Sequence, residues 1–212
     1  MRATPRRPQR WPVLRSVLAF GLVAGVSVPG TIAQWTDQEY GTGTFTAGSF
    51  AMQSSTDGTT FADHPSGSAA PLTFNAAAMY PGLTVAAPLV VRTTAGSLGG
   101  TVSLSSATTS GNATLVSTLA YKVYADTVSG CTTTSTPSSS GTWVAGSTTT
   151  FVSGLTTAVP SNTRPLPAAT SGAPGAAVYY CLIVQLPATA PNTVQGVTAT
   201  ATWSLTGSPP SA

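Results

Sequence analysis

The chain has 212 residues, of which 42% are hydrophobic and only 6% charged. That is enough apolar material for one core, at a length that suits one domain of about 150–200 residues, and it excludes a charge-driven disordered chain. The formal net charge of +3 misleads, because five of the eight basic residues (Arg2, Arg6, Arg7, Arg10 and Arg15) precede Ala33 while all five acids follow it. Beyond Ala33 only Arg92, Lys122 and Arg164 are basic, which leaves a net charge of −2. No basic patch remains to neutralise phosphates, so nucleic acid is not an expected partner.

Residues 1–33 run from an Arg-rich start through an apolar stretch, Val17 to Val28, to the small-residue exit Pro29-Gly-Thr-Ile-Ala33. This order is that of a secretory signal peptide, cleaved between Ala33 and Gln34 by a signal peptidase. The apolar run is short of the roughly 20 residues that a membrane span needs, so no stable span is expected after cleavage; the alternative is an uncleaved anchor. The mature chain then shows short strand signals separated by Gly, Pro, Asn and Ser. Gly43 to Met52 reads as the first strand, followed by a turn at Asp57-Gly58 and a loop over 59–71. Leu72 to Phe74 reads as a short strand, and Met79-Tyr-Pro-Gly82 as a turn. Leu83 to Val91 is apolar on both faces, as a buried strand would be. Thr101 to Ser105 alternates with Val102 and Leu104 inward. Asn112 to Thr118 suits one or two helical turns, and Ala120 to Tyr124 alternates as a strand. Residues 132–142 are low-complexity Ser, Thr and Pro, and read as exposed loop. Thr148 to Val152 is a candidate strand, and residues 160–176, with four prolines, read as loop. Ala177 to Leu186 is the strongest strand and is expected at the centre of a sheet. Thr198 to Leu205 closes the domain around Trp203, with residues 207–212 as a short polar tail.

No stretch carries a helical apolar stripe over three turns. The expected fold is therefore all-β: a single jelly-roll-like or β-sandwich domain over residues 34–206, after an N-terminal signal helix, with Ser/Thr-rich outer faces toward water. Cys131 and Cys181 are the only cysteines, and in an exported chain such a pair points to a disulfide closing a loop of about 50 residues. A metal or redox site is the alternative, but there is no CxxC and His64 is the only histidine. The same lone histidine, without G-x-S-x-G or H-E-x-x-H, leaves hydrolase and zincin chemistry without their parts. Asp57 and Asp63 read as loop acids, with a weak cation site built from Asp57, Asp63 and His64 as the alternative. No catalytic residue, cofactor or metal ligand is assigned.

Two families are similar to parts of this sequence. Ala177-Val-Tyr-Tyr-Cys181, with Tyr179 two residues before the cysteine and Trp143 twelve residues after Cys131, resembles the immunoglobulin fold. That resemblance implies an adhesion or binding module folded from about residue 110 onward, with Trp143 packed on the disulfide. The second resemblance covers roughly residues 20–205. Gly30-Thr-Ile-Ala-Gln-Trp-Thr-Asp37, Phe45-Thr-Ala-Gly48, Met79-Tyr-Pro-Gly82 followed by an apolar strand, and Leu186 to Gly196 with Trp203 resemble, in order, the TasA–camelysin family of exported proteins with a SipW-type signal peptide, in its actinobacterial branch. It implies a jelly-roll-like domain, release by a dedicated signal peptidase, and self-association into extracellular matrix fibres. In such fibres the freed N-terminal segment, here Gln34 to Ala47 with Trp35, Asp37, Phe45 and Gly48, adds as a strand to the sheet of the next copy. The cysteine pair and the long Ser/Thr loop depart from the fibre-forming members, and the metalloprotease activity described for camelysins has no ligand cluster here. The expected function is a secreted or cell-surface structural protein.

Overall fold

The computed structural model describes residues 41–44, 46–65, 67–72, 74, 78–159 and 163–211. Thr46 to Ala212 forms one compact unit. The expected signal segment, the cleavage pair Ala33 and Gln34, and Trp35, Asp37 and Phe45 lie outside the described residues.

The regular structure of the described chain is almost all strand. In order come β1 (Met52–Ser55), β2 (Thr84–Thr93), β3 (Gly100–Leu104), β4 (Thr108–Gly111), helix α1 (Ala113–Thr118), β5 (Ala120–Asp126), β6 (Thr142–Ala145), β7 (Val152–Ser153), β8 (Arg164–Leu166), β9 (Val178–Gln185), β10 (Ala199–Thr202) and β11 (Leu205–Ser208). One antiparallel sheet has the order β1-β2-β9-β5-β6, with β7 pairing the start of β5. Opposite it stand β11-β3-β8 and the pair β10-β4. The pairs β2–β9 and β3–β8 nest one inside the other along the chain, as strands of a jelly roll do. The fold is an all-β sandwich.

The sequence places β9 at the centre because it is apolar on both faces, and there it sits, flanked by β2 and β5 along nearly its whole length. Its inner face, Val178, Tyr180, Leu182 and Val184, meets Val102 and Leu104 of β3, Leu166 of β8 and Trp203 in one continuous core. Trp203 also packs at 6.3 Å on Tyr121, whose hydroxyl donates to the Thr157 carbonyl at 2.9 Å. Gly100 and Gly207 leave a slot for the Phe50 ring: a Cβ on either would stand 2.8–2.9 Å from its carbons. Asn112 starts the short helix by accepting the Leu115 N–H at 2.9 Å, as an N-cap asparagine does.

Several expectations are corrected. The first strand begins at Met52, not near Gly43; Ser49 makes only an isolated bridge to Ser97. Leu72 and Phe74 are not in a strand but pack as coil against the core. Only Val152 of the stretch Thr148 to Val152 is strand, because Ser147 accepts the N–H groups of Thr149 and Thr150 and turns the chain. The segments 160–176 and 198–205 hold β8, and β10 with part of β11. Strand β11 continues to Ser208, so pairing runs two residues into the stretch read as a polar tail.

The outer face of the six-stranded sheet does not meet water at its centre. Cys181, Ile183 and Tyr124 form a second cluster there, covered by Trp143, Phe151 and Cys131. The disulfide Cys131–Cys181 thus ties β9 to a loop on the outside of its own sheet. In an immunoglobulin domain it would link the two sheets through the core. Strand β2 lies between β1 and β9 in the same sheet, so no independent domain starts near residue 110.

Candidate functional site

Two features on the six-stranded sheet hold polar groups that the core does not use: the half of the β2 edge that no described strand covers, and the disulfide-tethered loop.

On β2, the Leu186 N–H donates to the Leu83 carbonyl at 3.0 Å and the Thr94 N–H donates to the Ala51 carbonyl at 3.1 Å. These bonds fix the phase of both ladders. Odd-numbered residues of β2 turn their backbone groups to β9, and even-numbered ones turn theirs to the β1 side. Strand β1 reaches only from Val90 to Thr93. It stops because the chain turns at Asp57-Gly58, where Gly58 takes a positive φ of 76° and its N–H donates to Ser55 Oγ at 2.9 Å. Asp57 Oδ1 accepts the Thr59 and Thr60 N–H groups, each at 2.7 Å. Bonds from Thr60, Ser55 and Thr59 hold this carboxyl well below the usual carboxylate range. The returning chain pairs Ala62 with Ser54, on the far side of β1. Opposite Thr84, Ala86 and Pro88 there is no partner strand among the described residues. Their two N–H and three C=O groups point out of the sheet edge. Pro88 stands where its missing N–H leaves no ladder bond unmade, as proline in a strand must. That proline was the signal in the sequence that the apolar run Leu83 to Val91 forms an edge over half its length.

Of the four residues singled out for assembly (Trp35, Asp37, Phe45 and Gly48), only Gly48 is described. It is exposed and lies against Leu98, whose side chain would meet an added Cβ at 2.7 Å. The cation candidates do not converge. His64 Nδ1 is 2.9 Å from Ser54 Oγ, and Asp57 is engaged by its own turn. Among the described residues no three His, Cys, Asp or Glu side chains lie close enough to hold a metal ion.

The tethered loop is built on Asp126, 3% exposed at the end of β5. Its Oδ1 accepts the Thr127 N–H at 2.7 Å, the Ser138 hydroxyl at 2.8 Å and the Ser140 hydroxyl at 3.2 Å; Oδ2 accepts the Ser138 N–H at 2.6 Å. Burial opposes ionisation of this carboxyl, but the bonds from Ser138, Thr127 and Val128 outweigh it and hold the group below the usual range. Gly141 is required beside it, since a Cβ there would stand 2.5 Å from Oδ2. The Tyr124 hydroxyl donates to the Gly130 carbonyl at 2.7 Å, and its ring meets Trp143 edge-on at 5.6 Å. Lys122, 7% exposed, lies over the rings of Phe151 and Trp143 at 4.8 and 5.3 Å and donates to the Thr148 carbonyl at 3.2 Å. No charged residue occurs from Thr127 to Thr163; Asp126, Lys122 and Arg164, whose guanidinium donates to the Ser140 carbonyl at 2.9 Å, organise the covering from outside it. None of these roles is visible in the spacing of the sequence, because each depends on groups brought in from the loop.

No protein-family model matches this chain, and no curated protein matches it significantly.

Proposed function

We propose that this is a secreted or cell-surface structural protein that self-assembles by strand addition, with the N-terminal segment Gln34 to Ala47 of one copy pairing with the sheet of the next. The observation that carries the reading is the half-open edge of β2, where Thr84, Ala86 and Pro88 offer backbone groups to an incoming strand. Strand addition draws its affinity from such main-chain groups and its selectivity from alternating side-chain pockets. The near absence of surface charge fits the same reading. From Thr46 to Ser211 three acids (Asp57, Asp63, Asp126) balance three bases (Arg92, Lys122, Arg164), the net −2 beyond Ala33 coming from Asp37 and Glu39 of the donor segment, and so small a net charge favours association. The disulfide accords with an oxidising compartment.

Size analysis of purified residues 34–212 tests this, with the expectation of high-mass species that vanish when residues 34–47 are deleted. Two proline variants localise the acceptor. Ala86→Pro removes an N–H that faces the open edge, so it is expected to keep the monomer folded and to suppress assembly. Ala87→Pro removes a bond to β9 and is expected to destabilise the domain itself by about 3 kcal/mol. A mature chain that stays monomeric at high concentration would sink the proposal, and assembly that Ala86→Pro leaves untouched would move the acceptor to another edge.

A further inference from the structure

The loop from Cys131 to Gly141 presents hydroxyls in two classes. Ser138 and Ser140 bond to Asp126, and Thr132 lies 2.8 Å from Ser135 Oγ and 3.4 Å from Thr134 Oγ1. These hydroxyls shape the loop. Thr133, Thr136 and Ser139 are exposed, and their hydroxyls have no partner among the described residues. They flank Pro137, which keeps Thr136 extended and out of a helix. Asp126 at one end and the disulfide at the other hold the backbone, so these three side chains are displayed on a fixed support and not on a collapsing tail. Ser/Thr tracts with proline and no charge have the composition of O-glycosylated segments.

We propose that Thr133, Thr136 and Ser139 are sites of O-glycosylation. The proposal rests on the export reading above, since the modification is assigned to the exported chain. The substrate class is a hexose activated on a phosphate carrier, transferred by a glycosyltransferase. The hydroxyl oxygen forms a bond to the anomeric carbon, the bond from that carbon to the phosphate breaks, the hydroxyl proton passes to a base of the transferase, and the phosphate leaves with the carrier. The sugars would hydrate a surface that has almost no charge of its own to hold water. They would also cover the outer side of the loop, leaving Cys181, Ile183 and Tyr124 sealed beneath it.

The test is intact-mass measurement and glycopeptide mapping of the protein recovered from the medium of its own host, with N-terminal sequencing of the same sample. Increments of whole hexose masses are expected, mapping to Thr133, Thr136 and Ser139. They should be lost in the triple variant T133A/T136A/S139A, which should still be exported with its disulfide formed because it touches neither Asp126 nor the cysteines. An exported chain at its bare polypeptide mass would refute the proposal while leaving export intact, and so would sugars confined to other segments. A chain found only inside the cell with Met1 in place would overturn the export reading, and this proposal with it.

Discussion

The two faces of the central strand β9 are built on different principles. Inward, Tyr180, Leu182 and Val184 pack against aliphatic and aromatic side chains of the opposing strands, and shape complementarity alone holds them. Outward, Cys181 and Ile183 are covered by Trp143 of β6, Phe151 and the Cys131 end of a loop almost devoid of large aliphatic residues, held by a covalent bond, a buried carboxylate and a lysine between two rings. An inward contact belongs to the core between the sheets, whereas an outward contact depends on a lid held by a few polar and covalent ties. Burial is nearly complete on both sides, so burial alone does not distinguish them.

Truncation on the two faces should separate them first. Leu182 and Ile183 are both 0% exposed. Leu182→Ala leaves a cavity between two sheets that cannot close, so about 3–5 kcal/mol is expected. Ile183→Ala opens a space beneath Trp143, Phe151 and the Cys131 loop, a thinner covering that settles into it more readily than a second sheet, and about 2–3 kcal/mol is expected. Urea unfolding of the two variants gives the difference; equal losses would mean that the loop is as rigid as the second sheet. Reduction of the disulfide comes next. The chain-entropy model credits a closed loop of 50 residues with about 4 kcal/mol as an upper figure. The loss should appear as early hydrogen exchange of the Ser138 N–H, with the inner amides of β9 still protected; simultaneous loss at both would erase the distinction between lid and core.

Asp126→Asn should cost about 2 kcal/mol, because an amide cannot accept all the bonds that the carboxylate receives and its NH2 faces donors. The same group gives the lid a pH dependence with a defined sign. Its folded carboxyl is depressed below the unfolded value of about 3.9, so its contribution is complete above that value and is lost as the pH falls through the folded one. The lid should therefore loosen below about pH 4 and be insensitive between pH 5 and 8. Exchange of the Ser138 N–H against pH measures this, with Asp126→Asn as the flat control.

The inner face was the more legible one. Alternation at Val102 and Leu104 and the unbroken apolar run of β9 encode core contacts directly, and the Asn112 cap and the turns at Asp57-Gly58 and Pro81-Gly82 are local chemistry. On the outer face the Cys131–Cys181 bond was legible from the cysteine pair, but the Asp126 anchoring was not, because Ser/Thr repeats look alike whether they float in solvent or wrap a carboxylate. Strand β8 was hidden by Pro165, which an edge strand tolerates. The half of the β2 edge that no described strand covers was hidden differently. Pro88 announces it, but only the point where β1 turns away shows how far it extends.

The smallest expected effect lies back on the inner face, and its sign is the informative part. Tyr180 is 1% exposed and its hydroxyl has no hydrogen-bond partner among the described residues. Burial pushes this hydroxyl's ionisation far above its ordinary range, and the positive charge of Arg164 only partly offsets that. A desolvated, unpaired hydroxyl is a cost to folding that its deletion removes. Tyr180→Phe keeps the ring and the packing and discards the orphan group, so the domain should be unchanged or more stable by up to about 1 kcal/mol. Thermal or urea unfolding of this one variant reads the result. A loss greater than about 1 kcal/mol would show that the hydroxyl takes part in a stabilising interaction, with Arg164 the charged group that acts on it. The inner face would then also hold a polar device of the kind that otherwise marks the outer one.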